Sequence, residues 1–314
     1  MSHLYYSPRR VFAIVLLIAT LTSGLQNSAH AATHTRVAAQ TIRPQAYLVI
    51  FDASTSMSWN FAGQGSKHGR DIQCGLPLDP NVRRQACGAG APWRIKSERR
   101  IYATKQGIRR VIDQMYTFDT MRLLAFSTKG ISTNQRWTAN KRRLRQDLLS
   151  LGSYLHEPYR TAGEAPSASA LFRARQLLAE MPQTAPNGVP YGSPVVIFIT
   201  DSVANRFLKA NGGWEHRPDD TCPNVPFADE IATCQTGYTS SDPPLPKPIT
   251  AMLLQADQLK PNATVYVIAL AHVDETGLKS VASVPAYPYF STVQSAGELA
   301  GVLDSIVVRI IVYP

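Results

Sequence analysis

Oxygen-bearing side chains recur at every second position between Asp52 and Ser56. In an extended or looping backbone, residues two positions apart point in the same direction. Asp52, Ser54 and Ser56 can therefore present one carboxylate and two hydroxyls to a single point. Asp201 adds a second carboxylate after a later apolar segment. Hard oxygen ligands of this kind suit Mg²⁺, and small neutral serines leave coordination positions for water or a partner's group. The pattern predicts a divalent-cation site.

Both aspartates must be positioned by the elements that precede them. Four apolar runs are typical of strands buried on both faces of a parallel sheet, at residues 46–51, 121–126, 194–199 and 263–270. Amphipathic segments alternate with them, at residues 101–115, 171–178, 252–259 and 299–310. This alternation predicts an α/β fold with a doubly wound, mostly parallel sheet flanked by helices. Asp52 and Asp201 each follow such a run, so we expect them at the carboxyl edge of the sheet, where these folds bind ligands.

The motif and its context resemble the von Willebrand factor A (VWA) domain family. Asp52, Ser54 and Ser56 match the D-x-S-x-S of that family's metal-ion-dependent adhesion site (MIDAS). Asp201 matches the aspartate of the later I-T-D-G motif, with Ser202 in place of the glycine. The chain also has two loop-rich insertions, at residues 59–92 and 202–248, and an N-terminal stretch typical of a secretory signal. With these features it looks most like exported bacterial VWA proteins that are linked to pili and surface assembly.

One position departs from the family pattern. The family supplies a threonine from a G-x-T segment that opens a helix, whereas this sequence reads Gly163-Glu164-Ala165. Alanine has no oxygen to donate to a cation, so the resemblance implies an incomplete ligand set at Ala165. Thr161 is a possible substitute ligand, and Glu164 and Ser167 are the other oxygen-bearing side chains nearby.

The resemblance implies adhesion without catalysis. A glutamate or aspartate of a partner protein completes the coordination of Mg²⁺, or of Mn²⁺ or Ca²⁺, and no covalent bond is made or broken. Two other interpretations stay open. One is a structural VWA subunit with an inactive metal site, in which Asp52 and the serines only cap the following loop. The other is a Mg²⁺-dependent phosphatase of the haloacid dehalogenase type, which needs a second carboxylate where this chain has Ser54.

Composition and the N-terminal residues narrow the class of protein. The 314 residues are 44% hydrophobic and 17% charged, with 22 prolines and a formal net charge of +10. The absence of a glycine period, the 22 prolines and the presence of only one long apolar run exclude a collagen, a coiled coil and a polytopic membrane protein. Arg9 and Arg10 precede an apolar stretch and an A-x-A pattern, as in a secretory signal. We expect cleavage between Ala31 and Ala32, which removes two arginines, lowers the net charge to +8 and leaves no stable membrane anchor.

The chain divides into four expected segments, which are a signal peptide (1–31), a flexible lead-in (32–44), a VWA domain (45–310) and a C-terminal tail (311–314). Two loop-rich insertions interrupt the domain, at residues 59–92 and 202–248, and each follows a strand end. Export favours disulfides over zinc or free thiols for the four cysteines. Three pairings are possible, and loop closure favours Cys74–Cys87 and Cys222–Cys234, one in each insertion.

Charge and export also give expectations about partners and compartment. We expect an exported protein, in the periplasm, on the cell surface or secreted, with a protein partner that offers an acidic residue to the basic chain. Basic clusters at Arg99-Arg100, Arg109-Arg110 and 141–145 are predicted to be solvated or to contact an anionic cell envelope, because export argues against nucleic acid. The apolar residues 307–314 are strand-like and too short to anchor in a membrane.

Overall fold

The computed structural model describes residues 43–61, 96–154, 156, 158–159, 161–202, 204–215, 236–240, 243–271, 273 and 275–312. The expected signal peptide, most of the lead-in and all four cysteines lie outside the described residues, as do large parts of both predicted insertions. The cleavage site and the two disulfides therefore stay predictions.

Described strands run over Ala46–Asp52 (β1), Thr120–Ser127 (β2), Gly130–Thr133 (β3), Val195–Thr200 (β4), Phe207–Leu208 (β5), Trp214–Glu215 (β6), Thr264–Leu270 (β7) and Phe290–Val293 (β8). Six of them form one sheet in the order β3-β2-β1-β4-β7-β8. Neighbours in this sheet are parallel except for β2 and β3. β5 and β6 form a separate antiparallel pair. β1 lies between β2 and β4 and is buried along its whole length.

Described α-helices run over Arg100–Gln114 (α1), Lys141–Ser150 (α2), Ser167–Ala179 (α3), Pro248–Leu259 (α4), Glu275–Val281 (α5), Ala286–Tyr289 (α6) and Ala296–Val312 (α7). Short 3₁₀ turns cover Thr55–Ser58, Lys96–Glu98 and Lys260–Asn262. Local sequence explains some boundaries. Pro248 begins α4, where its missing N–H costs no hydrogen bond. Asn140 caps α2 by accepting a 3.0 Å hydrogen bond from the Arg143 N–H.

The sheet separates two hydrophobic cores, because alternate residues of a strand point to opposite faces. The β1 side chains in the core with α1, α2 and α7 are Tyr47, Val49 and Phe51. Those in the core with α3, α4 and α5 are Ala46, Leu48 and Ile50. Helices cover both faces, which is why the central strands are apolar at nearly every position. No helix within the described residues combines the length and the apolar character needed to cross a membrane.

The predicted fold class is confirmed in its main features, a mostly parallel sheet with helices on both faces. Each of the four strands predicted from an apolar run and each of the four predicted helices is present close to its expected position. The strand-like interpretation of the C-terminal residues is wrong for 307–312, which are the last turns of α7. Their apolar residues continue the helical spacing that begins at Leu299, and no proline interrupts it before Pro314.

Candidate cation site at the carboxyl edge of the sheet

Asp52 and Asp201 lie together because their strands are neighbours. β1 and β4 pair in parallel up to Phe51 and Ile199, so the residues that follow leave the sheet at the same edge. Asp52 is completely buried, and the side chain of Asp201 has no solvent exposure. Carboxylates this deeply buried require hydrogen bonds or cations around them.

Hydrogen-bond donors surround both oxygens of Asp52. Its Oδ1 accepts from the Ser54 N–H at 2.7 Å. Its Oδ2 accepts from the hydroxyls of Thr200 at 2.7 Å and Ser202 at 2.8 Å. Thr200 and Ser202 flank Asp201, so the sequence around the second aspartate also holds the first. No cation of the described residues pairs with Asp52.

The hydroxyls of Ser54 and Ser56 form a chain that ends on Asp201. Ser56 Oγ donates to Asp201 Oδ1 at 2.8 Å and lies 3.1 Å from Ser54 Oγ. Ser54 occupies the N-cap position of the Thr55–Ser58 turn, yet its side chain makes no capping hydrogen bond. A hydroxyl has two lone pairs beside its one proton. Both serines therefore keep acceptor capacity next to the two carboxylates.

Arg100 is a site residue that sequence reasoning missed. Its Nη1 donates to Asp201 Oδ2 at 2.7 Å, in an ion pair whose side chains are 7% and 0% exposed. Its Nε donates to the Asn60 carbonyl at 3.0 Å. The prediction of a solvated cluster at Arg99 and Arg100 is therefore wrong. Both side chains are buried because each guanidinium finds acceptors inside the fold.

The charges at this edge do not balance. Burial raises the pKa of Asp201, and the Arg100 guanidinium opposes that shift. Burial, and after it the neighbouring Asp201 carboxylate, raise the pKa of Asp52, whereas hydrogen bonds from Thr200 and Ser54 lower it. When both carboxylates are ionised, one arginine neutralises only one of them. The raised pKa of Asp52 means that the second negative charge is costly, and a proton or a bound cation would relieve that cost.

A second loop, residues 161–165, is tied to the D-x-S-x-S turn. The Thr55 N–H donates to the Gly163 carbonyl at 2.8 Å, and the Thr55 hydroxyl accepts from the Gly163 N–H at 3.0 Å. Gly163 has a φ of +94°, and a Cβ there would lie 2.5 Å from Thr128 Oγ1. Glycine is therefore the residue that fits this junction.

Ala165, at the position of the family's threonine, brings no oxygen to the site. Its side chain is fully buried in the core shared with α3 and α4. Its N–H donates to Asn205 Oδ1 at 3.0 Å, and its carbonyl accepts from the Asn205 N–H at 3.3 Å. Asn205 thus fixes the backbone of the second loop from the β4 side.

The three possible substitutes for the missing threonine have different surroundings. The Thr161 hydroxyl donates to the Ser54 carbonyl at 2.6 Å. Glu164 forms an ion pair with Arg206. The Ser167 hydroxyl is buried and has no hydrogen-bond partner among the described residues. Of the three side chains, Thr161 is the one whose hydrogen bonds reach the serine turn.

The donor set fits a small, hard cation, with one position short. Two serine hydroxyls with free lone pairs, two adjacent carboxylates and a net negative charge are the surroundings that Mg²⁺ prefers. If a cation bound here, Ala165 would leave a further position to water or to a partner's group. Arg100 already holds one oxygen of Asp201, so such a cation would share that carboxylate with the guanidinium.

The residues that surround the aspartates differ in how visible they are in the sequence. Thr200 and Ser202 could have been found, because they are hydroxyl residues on both sides of a strand-terminal Asp201. Arg100 could not, because 101 positions separate it from Asp201 and only the tertiary fold joins them.

Solved structures with a similar fold include three pilus proteins. The pilus adhesin SpaC of Lactobacillus rhamnosus GG is 14% identical, with a TM-score of 0.53 over 87% of this chain and 31% of that one. The PilB minor pilin of Streptococcus sanguinis is 13% identical, with a TM-score of 0.52 over 86% of this chain and 62% of that one. The vWF domain of the type V pili tip protein Mfa5 of Porphyromonas gingivalis is 12% identical, with a TM-score of 0.51 over 87% of this chain and 96% of that one.

No protein-family model and no curated protein matches the sequence. The chain spans less than two thirds of SpaC and of PilB, but nearly all of the Mfa5 domain. At such low identity the likeness concerns the fold alone. The order of the strands, the helices on both faces and the solved relatives together show that the chain has the von Willebrand factor A fold.

Proposed function

We propose that this chain is an exported, pilus-associated VWA module that binds a partner protein through a divalent cation at its carboxyl edge. The observation that carries the proposal is the pair of serine hydroxyls. Ser54 and Ser56 do not cap their own turn but meet each other and Asp201. Three similar structures are named as a pilus adhesin, a minor pilin and a pilus tip protein, which supports a role of that kind.

In this proposal Ser54 and Ser56 hold the cation, with Asp52 and Asp201 behind them. A bound Mg²⁺ supplies an electrophilic centre that accepts a carboxylate oxygen from the partner. Neutral hydroxyl ligands leave most of the positive charge available for that carboxylate. Thr200 and Ser202 keep Asp52 in place, because both hydroxyls donate to the same oxygen of its carboxylate.

The partner is expected to offer a glutamate or an aspartate. Ala165 contributes no oxygen, so more of the coordination falls to water and to the partner than in the family pattern. The expected mature chain has a net charge of +8. Such a charge attracts acidic proteins and accelerates their encounter at low salt.

Calorimetry with Mg²⁺ and Mn²⁺ on the chain from Ala32 tests the cation. Asp52→Ala is expected to abolish binding, because it removes one of the two buried carboxylates. Asp257→Ala, the matched control, removes a mostly exposed carboxylate from α4 and is expected to change nothing. Circular dichroism establishes that both variants fold. Cation binding that survives Asp52→Ala contradicts the proposal.

A glutamate-containing peptide serves as the carboxylate probe for the partner. It is expected to bind the wild-type chain in Mg²⁺ and to be released by EDTA. A peptide with glutamine in place of glutamate is the control. Equal binding of both peptides would contradict recognition of an acidic group.

A structural VWA subunit with an inactive metal site is the second candidate, and two observations favour it. Ala165 lacks the ligand oxygen, and Arg100 already neutralises Asp201 without a metal. If this candidate is correct, neither Mg²⁺ nor Mn²⁺ binds, and Asp52→Ala leaves surface assembly intact.

An assay with an aryl phosphate tests the third interpretation, a phosphatase. Mg²⁺-dependent turnover that Asp52→Asn abolishes would overturn both the adhesion module and the structural subunit.

A further inference from the structure

A groove lies between α1 and α2, away from the residues of the carboxyl edge. This α1–α2 groove has a volume of about 190 Å³. Its polar lining consists of Lys105, Gln106, Arg109, Arg145, Gln146 and Tyr159. Among the described residues, the lining contains three cationic side chains and no carboxylate, which sets it apart from the acidic site at the carboxyl edge.

Lys105 is a buried basic residue with no counter-ion among the residues that the structure describes. Its side chain lines the groove, although the residue is only 1% exposed. Nζ donates to the carbonyls of Leu149 at 3.1 Å and Pro158 at 2.6 Å. An ammonium has three donors, and no carboxylate of the described residues pairs with this one. Burial alone lowers the pKa of Lys105 to about 7. A nearby anion would relieve the cost of burying the charged form.

The two arginines add further donors to the groove. Arg109 is exposed and makes no hydrogen bond or ion pair with the described residues. Arg145 uses Nε and Nη2 on Asp113 Oδ1, at 2.8 Å and 2.5 Å, which leaves its other N–H groups for a ligand. Asp113 balances one of the three cations. No carboxylate of the described part of the chain balances Lys105 or Arg109.

The surroundings of the groove reinforce its charge. Together α1 and α2 contain eight basic and two acidic residues. Their net charge of +6 compares with +8 for the whole chain after the expected cleavage. Arg100 is the member of this set that points into the acidic site. Lys105 is buried, and the other six are exposed or half-buried, including the exposed Arg142.

We propose that the α1–α2 groove binds a phosphate group, presented either in solution or by a lipid headgroup. Phosphate suits the groove because it carries up to two negative charges and offers several oxygens to lysine and arginine donors. Neutral amides of Gln106 and Gln146 at the same groove add donors that a tetrahedral oxyanion can use. The groove shares no residue with the carboxyl edge. The two proposals can therefore be tested independently.

The test measures phosphate binding at constant ionic strength. Isothermal titration uses inorganic phosphate as the soluble probe, with chloride as the control anion. Sedimentation with vesicles that contain an anionic phospholipid, against vesicles of a zwitterionic one, tests the lipid source. Binding of inorganic phosphate in the titration indicates a soluble ligand, and binding to the anionic vesicles alone indicates a lipid headgroup. Either result supports binding at the groove only if substitution of the groove residues weakens it.

Arg109→Gln is expected to weaken binding about tenfold, because it removes a charge-assisted hydrogen bond to the anion. Arg142→Gln removes the same charge from the exposed side of α2 and is expected to change the affinity less than about twofold. Lys105→Met tests whether the buried ammonium contributes to phosphate binding. If Lys105→Met does not fold, the comparison of Arg109→Gln with Arg142→Gln still tests the proposal. Absence of binding in every arm, or equal losses in Arg109→Gln and Arg142→Gln, would overturn the proposal.

Discussion

The carboxyl edge and the α1–α2 groove each bury a charge that the described residues do not neutralise, and the two charges have opposite signs. At the edge, Arg100 pairs with Asp201, and no cation of the described residues pairs with Asp52. In the groove, Lys105 is buried with carbonyl partners and with no carboxylate among the described residues. The comparison indicates that the charge of a ligand can be inferred from the buried charge that each region leaves unpaired. The types of residue that line a region are a less direct guide.

The two regions also differ in how the buried charge is held. Asp52 accepts from one backbone N–H and two hydroxyls, and hydroxyl protons can rotate to suit a new neighbour. Lys105 donates to two backbone carbonyls, which can only accept hydrogen bonds. The hydroxyls of the acidic edge can therefore change from donor to acceptor when a cation enters, whereas the carbonyls around Lys105 keep the same role when an anion enters.

Removal of Arg100 should have the largest effect, because it breaks the balance at the edge. Arg100→Met leaves two buried carboxylates without a cation. We expect it to lower the free energy of unfolding by about 3–5 kcal/mol in EDTA, as for other buried ion pairs that lose one partner. Urea denaturation followed by circular dichroism measures this. Mg²⁺ should restore more stability to the variant than it adds to the wild type.

A double variant separates the ion pair from simple loss of packing. Arg100→Met with Asp201→Asn removes both charges, so it should be more stable than Arg100→Met alone. If the double variant is the less stable of the two, the loss comes from packing around the guanidinium, and the edge does not depend on charge balance.

In the α1–α2 groove, Lys105 should make the stability of the protein depend on pH. Burial lowers the pKa of Lys105 to about 7 from an ordinary value of 10.5. Between these values the unfolded chain binds more protons than the folded chain, so stability rises with pH in that window. We expect a gain of about 1–2 kcal/mol from pH 7 to pH 9.

Chemical denaturation at several pH values, without phosphate, measures this gain. Lys105→Met keeps a side chain of similar length without the charge, so its stability should lose this rise between pH 7 and pH 9. A slope that persists unchanged in Lys105→Met would assign the dependence to another group and would remove Lys105 as the unbalanced charge of the groove.

Restoring the missing oxygen should have a smaller effect. Ala165→Thr places a hydroxyl where the family pattern has one, and we expect about a tenfold rise in Mg²⁺ affinity by calorimetry. Ala165→Val is the matched control, because valine has the shape of threonine without its oxygen. If both substitutions change the affinity equally, the effect comes from packing at this fully buried position.

The parts of the fold that could be predicted are those with a strong local pattern. The strand Ala46–Asp52 is apolar at almost every position because helices cover both of its faces. Gly130–Thr133 and Phe290–Val293 form the edges of the sheet, and they were missed because they are short and half-exposed. Helix α2 was missed as a helix because only Leu144 and Leu148 are buried in it, so its basic residues dominate the pattern.

The residues of the cation site also divide into those with a local sequence pattern and those without one. Asp52, Ser54 and Ser56 form a local motif, and Asp201 follows a recognisable strand, so the fold brings the four residues together as expected. The Arg100–Asp201 pair depends on how the start of α1 packs against the end of β4. Periodicity describes each helix separately and gives no information on such a contact. This is why the charge balance of the edge could not be derived from the sequence.

The smallest expected effect concerns a second arginine on the helix that carries Arg100. Arg110 pairs with Asp304 of α7, but the two side chains are 55% and 28% exposed. Water and salt screen such a pair, so Arg110→Met should lower the free energy of unfolding by less than about 1 kcal/mol. The same urea titration measures it beside Arg100→Met. Because both substitutions remove an arginine from α1, their difference isolates burial as the cause. Equal losses would mean that the Arg100–Asp201 pair is no more important to the fold than a surface contact.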